Sequence, residues 1–156
     1  SASGKTAIVP AEGLFIVVIK HRHEMLLFKD LIPQKRYKVA VGINSGDKLE
    51  KDYKATPEGN FRIEEIEDSS WWLVKKRSKV PSIYGPWFLR LETGKENTFS
   101  GNAWLGFGIH GTNEPESIGT YASNGCIRLK NEDLVELKAI VEPVLEHKLV
   151  RVLVIP

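Results

Sequence analysis

The chain has 156 residues, of which 42 % are hydrophobic and 27 % charged, and its net charge is +2. That length holds one domain with a real hydrophobic core, and no stretch reaches the roughly 18–20 apolar residues of a membrane-spanning helix. The 22 basic and 20 acidic residues are spread along the chain, which excludes the strong basic field that gathers nucleic acid.

Residues 1–13 read as an N-terminal extension left by processing. They lack the basic start and apolar stretch of a secretory signal. Residues 14–156 read as the folded domain. "LFIVVI" (Leu14 to Ile19) is short, apolar and β-branched, as a buried strand requires. "EMLLF" (Glu24 to Phe28) follows the polar "KHRH", so the two segments predict a hairpin with His21, Arg22 and His23 in its turn. "YKVAVGI" (Tyr37 to Ile43) alternates and predicts a third strand. The turn-rich "NSGDKLEKDYKATPEG" leads into another alternating segment, Asn60 to Ile66. "SSWWLVKK", "PWFLRL", "AWLGFGI" and "LVRVLVI" (Leu149 to Ile155) complete the strand candidates.

One helix is predicted after residue 130. Asn131 suits the N-cap, Glu132 and Asp133 complement the helix dipole, and Leu134, Leu137, Ile140 and Val141 share a face. Pro143 limits its unbroken run. Many short strands and one principal α-helix predict a mainly β domain, a sandwich or barrel.

The chemistry concentrates in "GIHGTNEPESIGTYASNGCIRL". Its single cysteine, Cys126, follows His110 by 16 positions. A free thiol, with a pKa of about 8.5, is weakly ionised at neutral pH, and an adjacent imidazole can take its proton. His110 ends an apolar run, Gly111 lets the chain turn, and the polar loop between is long enough to return Cys126 beside it. Gly125 permits a tight backbone, so its amide and that of Cys126 can converge on a developing oxyanion. If the segment is extended, Arg128 falls on the same side as Cys126, where it can hold a carboxylate or carbonyls. Singly, a lone Cys fits a small core hydrophobe and a lone His a surface residue. Their pairing in Gly-rich loops leaves a Cys/His nucleophile site and a structural pair both open, and spacing alone does not name a reaction.

"IHGT" followed by "SNGCIRL" closely resembles the catalytic motif of the L,D-transpeptidases (the YkuD-type domain), in which a His-Gly precedes Ser-x-Gly-Cys-x-Arg. The resemblance extends to "ATPEGNFRI" (Ala55 to Ile63), to "YGPWFLRL" (Tyr84 to Leu91), and to the first hairpin and last strand. It implies an L,D-transpeptidase-like β-sandwich or barrel of mixed sheets over residues 14–156. By that resemblance Cys126 is the nucleophile and His110 the general base and later acid. The Gly111 carbonyl orients the imidazole, and Gly125 and Cys126 supply the oxyanion donors. Arg128, Ser123, Asn124, Tyr84 and Trp72 are the candidate substrate-binding residues, Ser123 chiefly as support for the loop. The position of Asn124 is often His in the family, so no second histidine is expected to assist.

The implied partners are peptidoglycan stem peptides, with carbapenem β-lactams as covalent inhibitors and neither metal nor organic cofactor. The implied reaction releases D-alanine from a tetrapeptide stem and passes the acyl group to an amine, forming a 3→3 cross-link or attaching a lipoprotein. The implied location is outside the cytoplasmic membrane, in the cell envelope. The alternatives are an L,D-carboxypeptidase or hydrolase at the same site, and a wall-binding domain without activity. In relatives the region of "SSWWLVKKRSKVPSIYGPW" forms a flap, so Trp71, Trp72 and Tyr84 are expected either to line a groove or to fill the core. The basic "KKRSK" reads as a solvated edge. The polar loop Glu92 to Asn102 is expected to border the cleft.

Overall fold

The computed structural model describes residues 5–72 and 82–156. Its first strands are β1 (Leu14–Ile19), β2 (Glu24–Lys29) and β3 (Ile32–Lys38), followed by the short β4 (Val41–Gly42). β5 (Gly59–Asp68), β6 (Trp87–Leu91) and β7 (Gly108–His110) come next, then the short β8 (Tyr121–Ser123) and β9 (Ile127–Arg128). The helix α1 (Asn131–Leu145) and the strand β10 (Arg151–Ile155) complete the order. Eight strands form one mixed sheet in the order β3-β2-β1-β10-β5-β6-β7-β9, and β4 pairs with β8 in parallel. An antiparallel bridge between Ala40 and Arg128 joins this small ribbon to the end of the large sheet, so the whole curls into a mainly β fold with one helix.

β1 and β2 form the expected hairpin. A 3-10 turn over Lys20–Arg22 closes it, with His23 left-handed at φ 51 and its amide bonded to Lys20 O. β2 and β3 form a second hairpin, which the sequence does not announce. Asp30 (φ 51) and Leu31 (φ 62) take two consecutive left-handed conformations, the signature of a primed turn, without the Asn-Gly or Asp-Gly pair that usually betrays one. The Asp30 carboxylate accepts from Gly13 N at 2.7 Å and anchors that turn. β3 itself has only Tyr37 buried, and its Pro33, Lys35, Arg36 and Lys38 suit a sheet edge. The strand expected over Tyr37 to Ile43 is therefore broken. β3 ends at Lys38, and Ala40 turns to pair with Arg128.

The "SSWWLVKK" segment is not a strand where it is described. β5 ends at Asp68, Trp71 and Trp72 lie in a turn, and residues 73–76 fall outside the described residues, as does "KKRSK". Of "AWLGFGI" only Gly108 and Ile109 are in a strand, continued by His110. The core is built from alternate residues of the central strands, with Ile16, Val18, Met25, Leu27, Phe61, Leu89, Ile109 and Val152 at or near zero exposure. Each such side chain contributes about 1.5–3 kcal/mol by burial. α1 lays Leu134, Leu137 and Val141 on this core. Pro143 removes one donor from its ladder, and the helix ends two residues later. Asn131 does not cap the helix. The helix starts at Asn131 itself, and the Asn131 carboxamide oxygen instead accepts from Thr112 N at 2.8 Å.

Candidate active site

β7 and β9 are parallel neighbours, with Ile109 opposite Ile127 and His110 opposite Arg128. Residues two apart on a strand share a face, so Cys126, which immediately precedes β9, projects to the same side as Arg128 and His110. All three line one cavity of about 530 Å³, together with Tyr84, Ser123, Asn124 and Gly125. Lys48, Lys51, Trp104 and Leu105 form part of its remaining wall. Basic and apolar side chains make up that wall, with no carboxylate among the described residues. The segment that borders the cleft is Ala103 to Phe107, not the preceding loop Glu92 to Asn102.

His110 is 3 % exposed, and its ring stacks on Phe88 at 5.6 Å and meets Tyr84 edge-on at 4.9 Å. Its Nδ1 lies 2.5 Å from Gly111 O. A carbonyl only accepts, so Nδ1 carries the proton and the Nε2 lone pair is left for the cavity. Burial pushes the His110 pKa down to about 4; the Gly111 bond opposes that shift and the Arg128 charge adds to it. The Cys126 thiol donates to Gly106 O at 3.3 Å. Burial pushes its pKa up to about 11, against the pull of the Gly108 amide and of Arg128 and Arg90. The cavity therefore holds a neutral thiol and a neutral imidazole at rest.

The backbone around the sulfur is pinned. Ser123 is 2 % exposed; its Oγ donates to Cys126 O at 2.5 Å and accepts from Gly125 N at 3.1 Å. This supports the loop, as expected of Ser123, but it engages one of the two amides expected to face an oxyanion. Gly125 has φ 141, a conformation that favours glycine, and a Cβ there would lie a tight 3.2 Å from Ala55 O. Arg128 Nη1 lies 3.5 Å from Ser117 Oγ, and its buried Nε has no partner among the described residues.

Trp72 does not line the cavity. It packs 5.5 Å from Tyr84 and 5.3 Å from Phe88, behind the rings that touch His110, while Trp71 is 70 % exposed. Three contributors escape sequence reasoning. Phe88 stacks on the imidazole, Asn131 ties down the strand end after His110, and Thr56 Oγ1 donates to Gly125 O at 2.7 Å. The "TPEG" segment carried the only signal of the last, and it reads there as a turn.

The family model for the YkuD L,D-transpeptidase catalytic domain matches residues 13–152. Bacillus subtilis YqjB, which bears the name of an L,D-transpeptidase, is 29 % identical over 133 residues, covering 79 % of this chain and 63 % of its own. The chain spans less than two thirds of the length of the curated relatives it matches. Among solved structures, a cysteine-to-serine mutant of the Enterococcus faecium L,D-transpeptidase superposes with a TM-score of 0.62 at 20 % identity, covering 92 % of this chain and 50 % of that one. LD transpeptidase LdtMt1, solved in complex with imipenem, gives 0.58 at 16 % identity, covering 92 % and 59 %. These two likenesses establish the fold. The match along residues 13–152 places the chain in the L,D-transpeptidase catalytic-domain family.

Proposed function

We propose that the chain is an L,D-transpeptidase acting on peptidoglycan stem peptides outside the cytoplasmic membrane. The observation that carries this reading is the pair on one cavity wall: a thiol at Cys126, and an imidazole at His110 whose Nδ1 is held by Gly111 O. Cys126 Sγ attacks the carbonyl carbon of the third, L-centred residue of a tetrapeptide stem as its proton passes to His110 Nε2. The oxyanion takes the Cys126 amide as donor. The Gly125 amide is the second donor, exchanging Ser123 Oγ for the charged and therefore stronger acceptor. Collapse breaks the C–N bond, His110 returns its proton to the departing amine of D-alanine, and a thioester remains. An acceptor amine on another stem or an anchored lipoprotein then attacks that carbonyl. Its proton passes to His110 and on to the released sulfur. Arg128, near the thiol and with an unpaired Nε, anchors a substrate carboxylate or carbonyl. Tyr84 and Asn124 line the path of the stem.

Intact-mass spectrometry tests this. Imipenem and a disaccharide-tetrapeptide are expected to leave an adduct on the wild-type chain and none on Cys126→Ala. Adding a D-amino acid is expected to yield exchange product. D-alanine release without exchange or dimer would make the enzyme an L,D-carboxypeptidase instead.

A further inference from the structure

Lys20 follows β1 and is 3 % exposed, an unusual place for an ammonium. Its Nζ donates to Gly46 O at 2.5 Å and Thr56 O at 2.7 Å, and lies 2.9 Å from Glu58 Oε2. Two carbonyls accept from the ammonium and one carboxylate balances its charge, the condition under which a buried charge is tolerated. Two of these contacts, to Thr56 O and Glu58, fall on residues 55–58. Thr56, 1 % exposed, accepts from Gly42 N at 2.9 Å and donates to Gly125 O at 2.7 Å through the same Oγ1. Ala55 O sits against Gly125 on the other side. Glu58 N donates to Asp47 Oδ1, as does Lys48 N, so the clamp also reaches the cavity wall at Lys48.

Gly125 thus rests on a platform whose own backbone is fixed by a buried charge. The orientation of its peptide group sets where the next N–H, that of Cys126, points. We infer that Lys20 and Thr56 are positioning residues for acyl transfer: the ammonium locks residues 55–58, and Thr56 Oγ1, through Gly125 O, holds the Cys126 amide at the acyl oxygen. This rests on the reading that Cys126 is acylated. Neither residue lines the cavity, so neither is expected to touch substrate.

Two reactions of the same sulfur separate positioning from mere stability. Acylation by imipenem develops an oxyanion and needs the amide, whereas alkylation by iodoacetamide displaces iodide and forms none. Both rate constants are to be measured by intact mass on Thr56→Val, Thr56→Ser and Lys20→Gln, with folding checked by circular dichroism. Thr56→Val and Lys20→Gln are expected to slow acylation by about 10- to 100-fold and to change alkylation by less than about threefold. Thr56→Ser, which keeps the hydroxyl, is expected to retain acylation within about threefold of wild type. Equal slowing of both reactions, unchanged acylation in Thr56→Val, or failure of both hydroxyl- and charge-lacking variants to fold would overturn the inference alone. A wild-type chain that alkylates but never acylates would instead remove the acyl-transfer reading, and this inference with it.

Discussion

A histidine that ends a strand under two aromatic rings is kept from water and so from its proton. His110 holds Nδ1–H toward Gly111 O and stays neutral down to about pH 4. The imidazole lone pair is therefore free from about pH 5 upward, and Cys126 keeps its proton until about pH 11. Imipenem acylation should accordingly be flat between about pH 5 and 8, measured as a pH–rate profile; a limb near 6.5 would show an ordinary, solvated imidazole. Stability carries the same sign. Between about pH 6.5 and 4 the unfolded chain binds a proton at this side chain that the folded chain refuses, so stability falls as pH drops through that window. The loss is on the order of 3 kcal/mol, read as a falling urea midpoint, and His110→Gln should remove most of that slope.

At the scale of elements, the site depends on three segments meeting without room to spare. Gly85 has φ 67, and a Cβ on it would lie 2.6 Å from Gly111 Cα and 2.4 Å from Asn131 Oδ1. That contact sets the segment before β6 against the turn that holds His110 and against the start of α1. Gly85→Ala is expected to cost about 2–3 kcal/mol from strain and overlap, lowering Tm by several degrees in a thermal melt, and to slow acylation by displacing the Gly111 carbonyl. The same scale explains what the sequence discloses. β1, β2, β5, β6 and β10 announce themselves because their buried residues alternate or run together. β3 stays hidden because its face meets solvent at nearly every position. β8 and β9, three and two residues long, are too short to show a period at all. His110 and Cys126 are legible because their motif is local. Thr56 and Asn131 are not, because their partners lie 69 and 19 residues away, and Trp72 is misplaced because aromatic residues look alike in a groove and behind one.

Across the whole molecule, one core serves both the scaffold and the cavity. Phe61 is fully buried on β5, and its ring meets Phe107, a cavity-lining residue, edge-on at 5.2 Å. Phe61→Ala is expected to destabilise by about 3–5 kcal/mol, measured by urea denaturation, and to weaken imipenem acylation because the wall behind the thiol loses its backing. The middle of the large sheet has a different consequence. β10 lies between β1 and β5, parallel to the first with Phe15 opposite Arg151 and antiparallel to the second with Phe61 opposite Val152. Until that late strand leaves the ribosome, β1 and β5 each present an unpaired row of amides and carbonyls. Within the large sheet the halves β3-β2-β1 and β5-β6-β7-β9 are joined through β10 alone, so closing the sheet waits on a pairing of high sequence separation, the kind that folds slowly.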